Sequence, residues 1–475
     1  MRSIWQTEST PSYPPLGEDV RVDACVIGAG VAGLNCAYLL QKAGLRTAVI
    51  EARRVGAGTS SRTTGKITAQ HDLIYDFLAR TSGDDAAHIY AEINARALET
   101  YEQIIREEGI DCDFVRADSF VFARGDATSL ENERKAMKRV GLDAYLTDRA
   151  ALPFPVTAAL GLRNQAHFHP VKYMDAIARR VPVYEDIRAL AVEGNTVRTA
   201  HGTITADRIV VATRFPFVNA PGYYFLRMHQ EMSCIVALAG TPLFEGMYID
   251  RADGGLSVRP WQDKRLVCGG SWRTGENPGN QYDELERKAG DMFPGATPVA
   301  RWSAEDCVTQ DRLPFVGHYG AHTENLYVAT GFNKWGMSLS MAAALVLTDL
   351  IGGKKTPAAR LFSPRRTPIH GMKALGDDMI ASMKGFARHL KIPDDVCADV
   401  QKGEARAVEH DGRKIGAYRD EEGALHMVSL TCPHLGCLLS WNPDERTWDC
   451  PCHGSRFDFD GNLLDGPAQD NVPPL

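Results

Sequence analysis

Val22-Asp23-Ala24-Cys25-Val26-Ile27-Gly28-Ala29-Gly30-Val31-Ala32-Gly33 is the stretch on which the fold turns. A short apolar, β-favouring run passes directly into three spaced glycines, and a helical pattern follows through Leu34, Ala37, Leu40 and Gly44. A second strand-like run, residues 47–50, ends in Glu51. The pieces divide the work physically. Gly28 permits the tight turn, Gly30 lets backbone approach a pyrophosphate, and Gly33 lets helix and strand pack closely. The helix N-terminus offers N–H groups and a positive dipole end to phosphates. Glu51, about twenty residues past the first glycine, is placed to accept a hydrogen bond from a ribose hydroxyl. Strand, turn, helix and acid together predict an α/β dinucleotide-binding unit, with FAD and NAD both open.

Outward from this motif, 475 residues at roughly 150 per domain suggest about three folded units. Lys plus Arg at 53 against Asp plus Glu at 60, net charge -7, with 44% hydrophobic and 24% charged residues, is ordinary globular composition. It disfavours disorder, collagen and a basic nucleic-acid-binding field, so no nucleic-acid partner is expected. The uncharged run 24–40 is too short for a membrane span and is interrupted by glycines and Asn35, so no transmembrane segment is expected. The first residues lack the apolar core of a secretory signal, which predicts a cytoplasmic protein.

Further along, Gly56-Ala57-Gly58-Thr59-Ser60-Ser61-Arg62 forms a second Gly/Ser/Thr-rich loop, and a strand at 208–211 runs into Ala212-Thr213. Residues 257–260 and 265–270 read as a hairpin, Asp311-Arg312-Leu313-Pro314-Phe315-Val316-Gly317 as a turn, and Ala329-Thr330-Gly331-Phe332 as a loop before an apolar helix at about 337–351. In this order the motifs resemble the D-amino-acid-oxidase superfamily of flavoproteins, the group of glycine, sarcosine and γ-glutamylputrescine oxidases. The resemblance implies FAD, an α/β Rossmann-like FAD-binding domain and an interleaved β-rich substrate domain over residues 20–352. It places Gly28, Gly30, Gly33, Glu51, Ser60, Ser61, Thr213, Gly331, Phe332, Gly336 and Met337 at the cofactor. Gly331 and Gly336 permit close backbone approach, and the helix starting there can stabilise negative charge on a reduced flavin. An amphipathic helix is predicted at 85–108, and strands at 192–200 and 203–207 read as inserted β structure beside Tyr184.

After Gly352-Gly353 the chain turns basic and Pro-rich, which predicts a linker at 353–394 with a helix near 375–390. From 395 to 475 short strands and turns, including 414–418 and 425–429, predict an all-β module. Four of the eleven cysteines fall between 432 and 452. Cys432-Pro433-His434-Leu435-Gly436-Cys437 and Cys450-Pro451-Cys452-His453-Gly454-Ser455 are separated so that fifteen residues lie between His434 and Cys450. Two Cys and two His from two loops are what a Rieske [2Fe-2S] centre needs, thiolates on one iron and imidazoles on the other. Cys432, His434, Cys450 and His453 are the candidate ligands; the usual zinc pairing of C-x2–4-C with H-x3–5-H is not present. The segment resembles Rieske proteins of the cytochrome bc type. That resemblance implies a disulfide between Cys437 and Cys452, a covering Pro loop at Gly466-Pro467-Ala468, and cluster-tuning positions at Ser455 and Phe457, where high-potential members carry Ser and Tyr. A disulfide is unusual in the cytoplasm, so free thiols at Cys437 and Cys452 stay open.

A flavin and a one-electron cluster in one chain predict an FAD-dependent dehydrogenase. It would oxidise an amine or amino-acid-derived small molecule and pass electrons through the Rieske centre to an external protein or quinone. The alternative is an electron-transfer protein or reductase fed from outside, though a second dinucleotide motif is missing; a sensor role for the cluster is a third. A Rieske oxygenase would need a mononuclear-iron domain downstream, and twenty-two residues follow His453. His71, Asp306 and Lys334 are the catalytic candidates, with His169 and His229 behind them. Asp306 stands where glycine-oxidase-like sequences carry a carboxylate-binding Arg, so the expected substrate is not a simple α-amino acid. Ala304 stands where sarcosine-oxidase-like members tether FAD through Cys, so the flavin is expected to be non-covalent, with Cys307 the nearest other thiol.

Overall fold

The computed structural model describes residues 2–7, 11–242, 244–366, 400–410 and 413–475. The opening motif folds as its pattern predicts, into the strand Val20–Ile27, the helix Val31–Lys42 and the strand Thr47–Ile50. Val20–Ile27 pairs in parallel with Thr47–Ile50 on one side and with Gly202–Val211 on the other. Leu326–Thr330 and Val183–Tyr184 extend the parallel sheet at either side. Central strands such as Thr47–Ile50 and Leu326–Thr330 are buried on both faces, and the helices Val31–Lys42 and Gly336–Ile351 pack together over the sheet. The predicted pieces 203–207 and 208–211 are one continuous strand, which leaves a hairpin with Thr196–Thr199 and enters the core of the sheet. An alternating exposed run and a wholly buried run look like two elements in sequence, although one strand crosses both environments.

A second, nine-stranded sheet carries the long strands Met228–Ala239, Lys264–Arg273 and Thr297–Thr309. The expected hairpin is present as Ser257–Trp261 paired with Lys264–Arg273. The amphipathic helix runs Asp84–Glu107 and buries Tyr90, Ile93, Ala97 and Tyr101. Between residues 353 and 366 the chain stays packed: Phe362 is fully buried, and Arg366 makes a two-pronged pair with Asp311 at 2.6 and 2.8 Å. The helix expected at 375–390 lies outside the described residues.

The C-terminal module is a three-stranded sheet, Ala405–His410, Arg413–Arg419 and Leu425–Ser429, and a four-stranded sheet from Ser440–Asn442 to Leu463–Asp465. Its core joins Trp448, Phe457 and Leu430 to all four cysteines of the two loops. It sits directly on the nine-stranded sheet, where Gln230 and Arg273 bond the main-chain carbonyls of His453 and Pro451. The turn at Asp444 accepts the backbone N–H groups of Asn280 (3.1 Å) and Gln281 (3.0 Å), capping the helix Gln281–Met292 from the other module. No helix among the described residues is long and apolar enough to cross a membrane.

Candidate functional site

A cavity of about 300 Å³ opens at the carboxyl ends of the parallel strands, where such sheets bind ligands. Gly28, Gly30, Glu51, Ser60 and Thr213 line it. Gly28 (φ +106°) lies so close to the neighbouring strand that a Cβ would fall 2.7 Å from the Ala212 carbonyl oxygen. Gly33 does not reach the cavity. A Cβ there would lie 1.9 Å from the Gly28 carbonyl oxygen, the tight helix–strand contact expected of the third glycine. The Glu51 carboxylate accepts from the N–H groups of Ala29 (2.8 Å) and Arg53 (3.0 Å), and burial pushes its pKa up. Ser60 Oγ accepts from Val31 N–H at 3.1 Å, whereas Ser61 turns away to bond Gln6 and the Gly58 carbonyl. Ser61 therefore braces the loop and does not line the cavity.

On the far wall stand Gly331, Phe332, Lys334, Gly336 and Met337. A Cβ at Gly331 (φ +73°) would meet Thr309 at 2.4 Å, and Gly336 opens its helix with nothing against it. Bare backbone, a helix N-terminus, the Glu51 carboxylate and cavity-lining Arg53, Arg62 and Arg188 fit a dinucleotide with its diphosphate.

The inner end is lined by Ser233, Ile235, Cys268, Ala304, Asp306 and Cys307. Lys334, held in a left-handed conformation (φ +68°), is taken up by Glu231 at 2.8 Å, Ser233 at 3.3 Å and Ser271. Glu231 also meets His229 at 3.1 Å; although burial opposes it, these partners hold its carboxyl below the usual range. Asp306 carries no salt bridge among the described residues. Burial raises its pKa against the pull of Lys334 and Arg214. Burial likewise raises Cys307, making it a poor nucleophile.

His71 is a core residue and does not line the cavity. It stacks on Trp335 at 4.5 Å, its Nδ1 meets Tyr90 Oη at 2.6 Å, and burial drives its pKa down to about 3. His169 is also away from the cavity, capping its helix through Lys172 N–H at 3.2 Å.

In the C-terminal module the two loops meet as the spacing predicts. Cys437 and Cys452 form a disulfide. Their sulfurs and Cys450 Sγ all lie within 4.8 Å of one another, but the bridge consumes two of the three. Cys450 is left to face Cys432. Hydrogen bonds from Cys450 and from Ser455 favour Cys432 as thiolate. The His434 and His453 rings lie 4.9 Å apart and perpendicular. His434 Nδ1 is buried without a hydrogen-bond partner, while Nε2 meets Asn219 Oδ1 at 3.0 Å. That bond fixes the proton on Nε2 and leaves Nδ1 bare for a metal. Two thiols, two imidazoles and an orphaned nitrogen fit a [2Fe-2S] cluster.

The two sites share walls. Residues 463–469 of the C-terminal module, including Asp465 and Pro467, line the same cavity as Gly28 and Asp306. Arg214 lies between Glu305 (2.9 Å) and Asp465 (3.2 Å), and Arg53 reaches Asp465 at 3.7 Å. Burial pulls Glu305 towards its protonated form. It would do the same to Asp465, but Arg214, Arg53, Arg62 and Arg456 keep that carboxylate ionised. Gln230 Nε2 donates to the carbonyls of His453 (2.7 Å) and Gly466 (3.0 Å). Phe225 sets its ring edge-on to both histidines, 6.2 Å from His434 and 5.6 Å from His453. Asn219, Arg214, Gln230 and Asp465 are not legible as site residues in the sequence, since their partners stand far off along the chain. The one local cue is at Asp465, which adjoins the Gly466-Pro467 loop.

The family model for FAD dependent oxidoreductases matches residues 23–350 and that for the Rieske [2Fe-2S] domain matches 392–475. The chain belongs to the FAD-dependent oxidoreductase family and carries a C-terminal Rieske domain; its cofactors are FAD and a [2Fe-2S] cluster. It is similar along its whole length to YhfW of Bacillus subtilis, whose name describes a Rieske 2Fe-2S iron-sulfur protein, with 35% identity covering 100% of this chain and 96% of that one. It is 27% identical to the γ-glutamylputrescine oxidoreductase of Escherichia coli over 74% of this chain and 89% of that one. Among solved structures, glycine oxidase from Geobacillus kaustophilus shares the fold with a TM-score of 0.63 at 20% identity, covering 73% of this chain and 99% of that one.

Proposed function

We propose that the protein is an amine dehydrogenase. It oxidises a cationic amine at the inner end of the flavin cavity and delivers the electrons singly through the Rieske centre to an external acceptor. The single observation that carries the electron route is the shared cavity, with residues 463–469 of the Rieske domain among its walls. When bound, FAD supplies two-electron hydride acceptance and the cluster supplies one-electron transfer.

The substrate class rests on charge. Asp306 is a cavity-lining carboxylate with no salt bridge among the described residues, and its raised pKa suits it to receive a proton from a bound ammonium. Neither nearby cation is free for a substrate carboxylate: Lys334 serves Glu231, and Arg214 serves Glu305 and Asp465. The oxidised bond is then C–H beside nitrogen. The N–H proton passes to Asp306, leaving a neutral amine, and the hydride leaves with both electrons to give an iminium cation. The resemblance to γ-glutamylputrescine oxidoreductase supports an amine terminus as the reacting group.

The test is anaerobic reduction of the holoenzyme by a panel of alkyl amines, amino acids and NADH, following flavin bleaching and the cluster's EPR signal. Bleaching by amines, lost in Asp306→Ala, is the expected result. Turnover of glycine, sarcosine or D-alanine, or reduction by NADH alone, would overturn the reading.

A further inference from the structure

We infer that Gln230 is the bridge through which electrons cross from the flavin cavity to the cluster, a positioning residue joining two sites that lie in different domains. The inference rests on the electron route proposed above and names the residue that carries it.

Gln230 lies on the strand Met228–Ala239 and is 1% exposed. A glutamine side chain buried this completely must satisfy both ends of its amide, because an unpaired polar group out of reach of water keeps its full desolvation penalty. One end faces each site. Its Oε1 accepts from Cys307 Sγ at 3.7 Å, and Cys307 lines the flavin cavity. Its Nε2 donates at 2.7 Å to the main-chain carbonyl of His453, a cluster-ligand residue, and at 3.0 Å to that of Gly466 in the loop that lines the cavity. The path from cavity wall to ligand residue is therefore one thiol, one amide and two hydrogen bonds.

The backbone around Gln230 is shaped to bring the cluster loop this close. Gly454, between His453 and Ser455, has φ +80°, and a Cβ there would lie 2.5 Å from Gln230 Nε2. Gly275 (φ +85°) makes the matching approach from the flavin side, where a Cβ would lie 2.4 Å from Pro451 N. Two left-handed glycines, one from each domain, thus remove the side chains that would hold the loop away. Tunnelling falls off more steeply across gaps than through bonded and hydrogen-bonded atoms, so a buried amide filling this gap raises the coupling between the two centres. The electron balance needs no further reagent class: each substrate hydride brings two electrons into the cavity, and they cross one at a time. Each passes from the cluster to an external one-electron acceptor, and the protons go to water.

The experiment is flash photoreduction of the holoenzyme with 5-deazariboflavin as the electron source, the flavin followed by absorbance and the cluster by freeze-quench EPR. Gln230→Met keeps the volume and removes all three side-chain hydrogen bonds, to Cys307, His453 and Gly466. It is expected to slow flavin-to-cluster transfer at least about tenfold, leaving the cluster's EPR line shape and midpoint potential unchanged. Cys307→Ala should slow transfer by less, and Cys307→Ser, which still donates to the amide, should restore it. Wild-type transfer rates in Gln230→Met would overturn the inference. So would a slowing that appears only together with an altered EPR spectrum or potential, since Gln230 would then merely hold the loop. A wild-type holoenzyme whose flavin is reduced while its cluster stays oxidised would instead overturn the electron route itself.

Discussion

The flavin half and the Rieske half solve the problem of holding a cofactor in opposite ways. The cavity proposed for the flavin draws on residues from Gly28 to Met337 and closes only with help from residues 463–469 of the other module. The candidate cluster ligands come from two neighbouring loops knotted by the disulfide between Cys437 and Cys452. Yet the compact site is not self-contained either, because His434 finds its acceptor in Asn219 and His453 its donor in Gln230, both on the flavin side. Local spacing defines what each site can bind, and the docking of one half on the other defines what the pair can do.

That asymmetry can be broken most severely at the ligands. Cys450→Ser should abolish the cluster, read as complete loss of the EPR signal and of iron and sulfide. FAD content should stay near that of the wild type, since the glycine cradle belongs to the other half. Joint loss of flavin and cluster would show that the halves do not fold independently.

Next in size is the buried ion network. Arg214→Ala leaves Glu305 and Asp465 without their shared partner, and removing one member of a buried pair costs about 3–5 kcal/mol. The expected result is a lower melting temperature and faster proteolysis between the domains, with the EPR signal retained. The same network sets a pH window. Asp465 is held below its ordinary value, so its contribution is present above the unfolded carboxylate range near pH 4 and is lost as the pH falls towards about 2.

Smaller shifts are expected in the cluster potential. Phe457 is fully buried among the module's core residues and has no hydroxyl to offer a ligand sulfur. Phe457→Tyr adds a donor of the kind that contributes about 1.5–3 kcal/mol to a charged acceptor, so voltammetry should show the potential rising. An unchanged or lowered value means that the ring does not face the sulfur. Asn219→Ala should have the smallest effect. Losing the acceptor at His434 Nε2 makes the imidazole a weaker electron donor and raises the potential by tens of millivolts at most, from a bond of about 1 kcal/mol.

Much of this is legible in the sequence, for physical reasons that also explain the remainder. Gly28, Gly30 and Glu51 stand within one strand–turn–helix–strand unit, so local periodicity exposes them. Cys432, His434, Cys450 and His453 are likewise marked by spacing alone. His71 illustrates the opposite case: a histidine near a glycine-rich loop looks available, but its surroundings of Tyr90 and Trp335 are set by tertiary packing. Ser61 and Ser60 are neighbours in one polar loop, and only the local backbone turn sends one hydroxyl to the cavity edge and the other to Gln6. Arg214, Asn219 and Gln230 act across domain boundaries, and no pattern within a single segment encodes a partner more than 200 residues away, as at Asn219 and His434.

The two halves share one cavity, and backbone hydrogen exchange of residues 463–469 reports on that wall when FAD binds. Compared between the FAD-loaded protein and the protein stripped of FAD, those Rieske-domain amides should gain protection on loading, together with the loop around Gly28 and Ser60. Protection that appears around Gly28 and leaves 463–469 unchanged would mean that the C-terminal loop does not wall the FAD site.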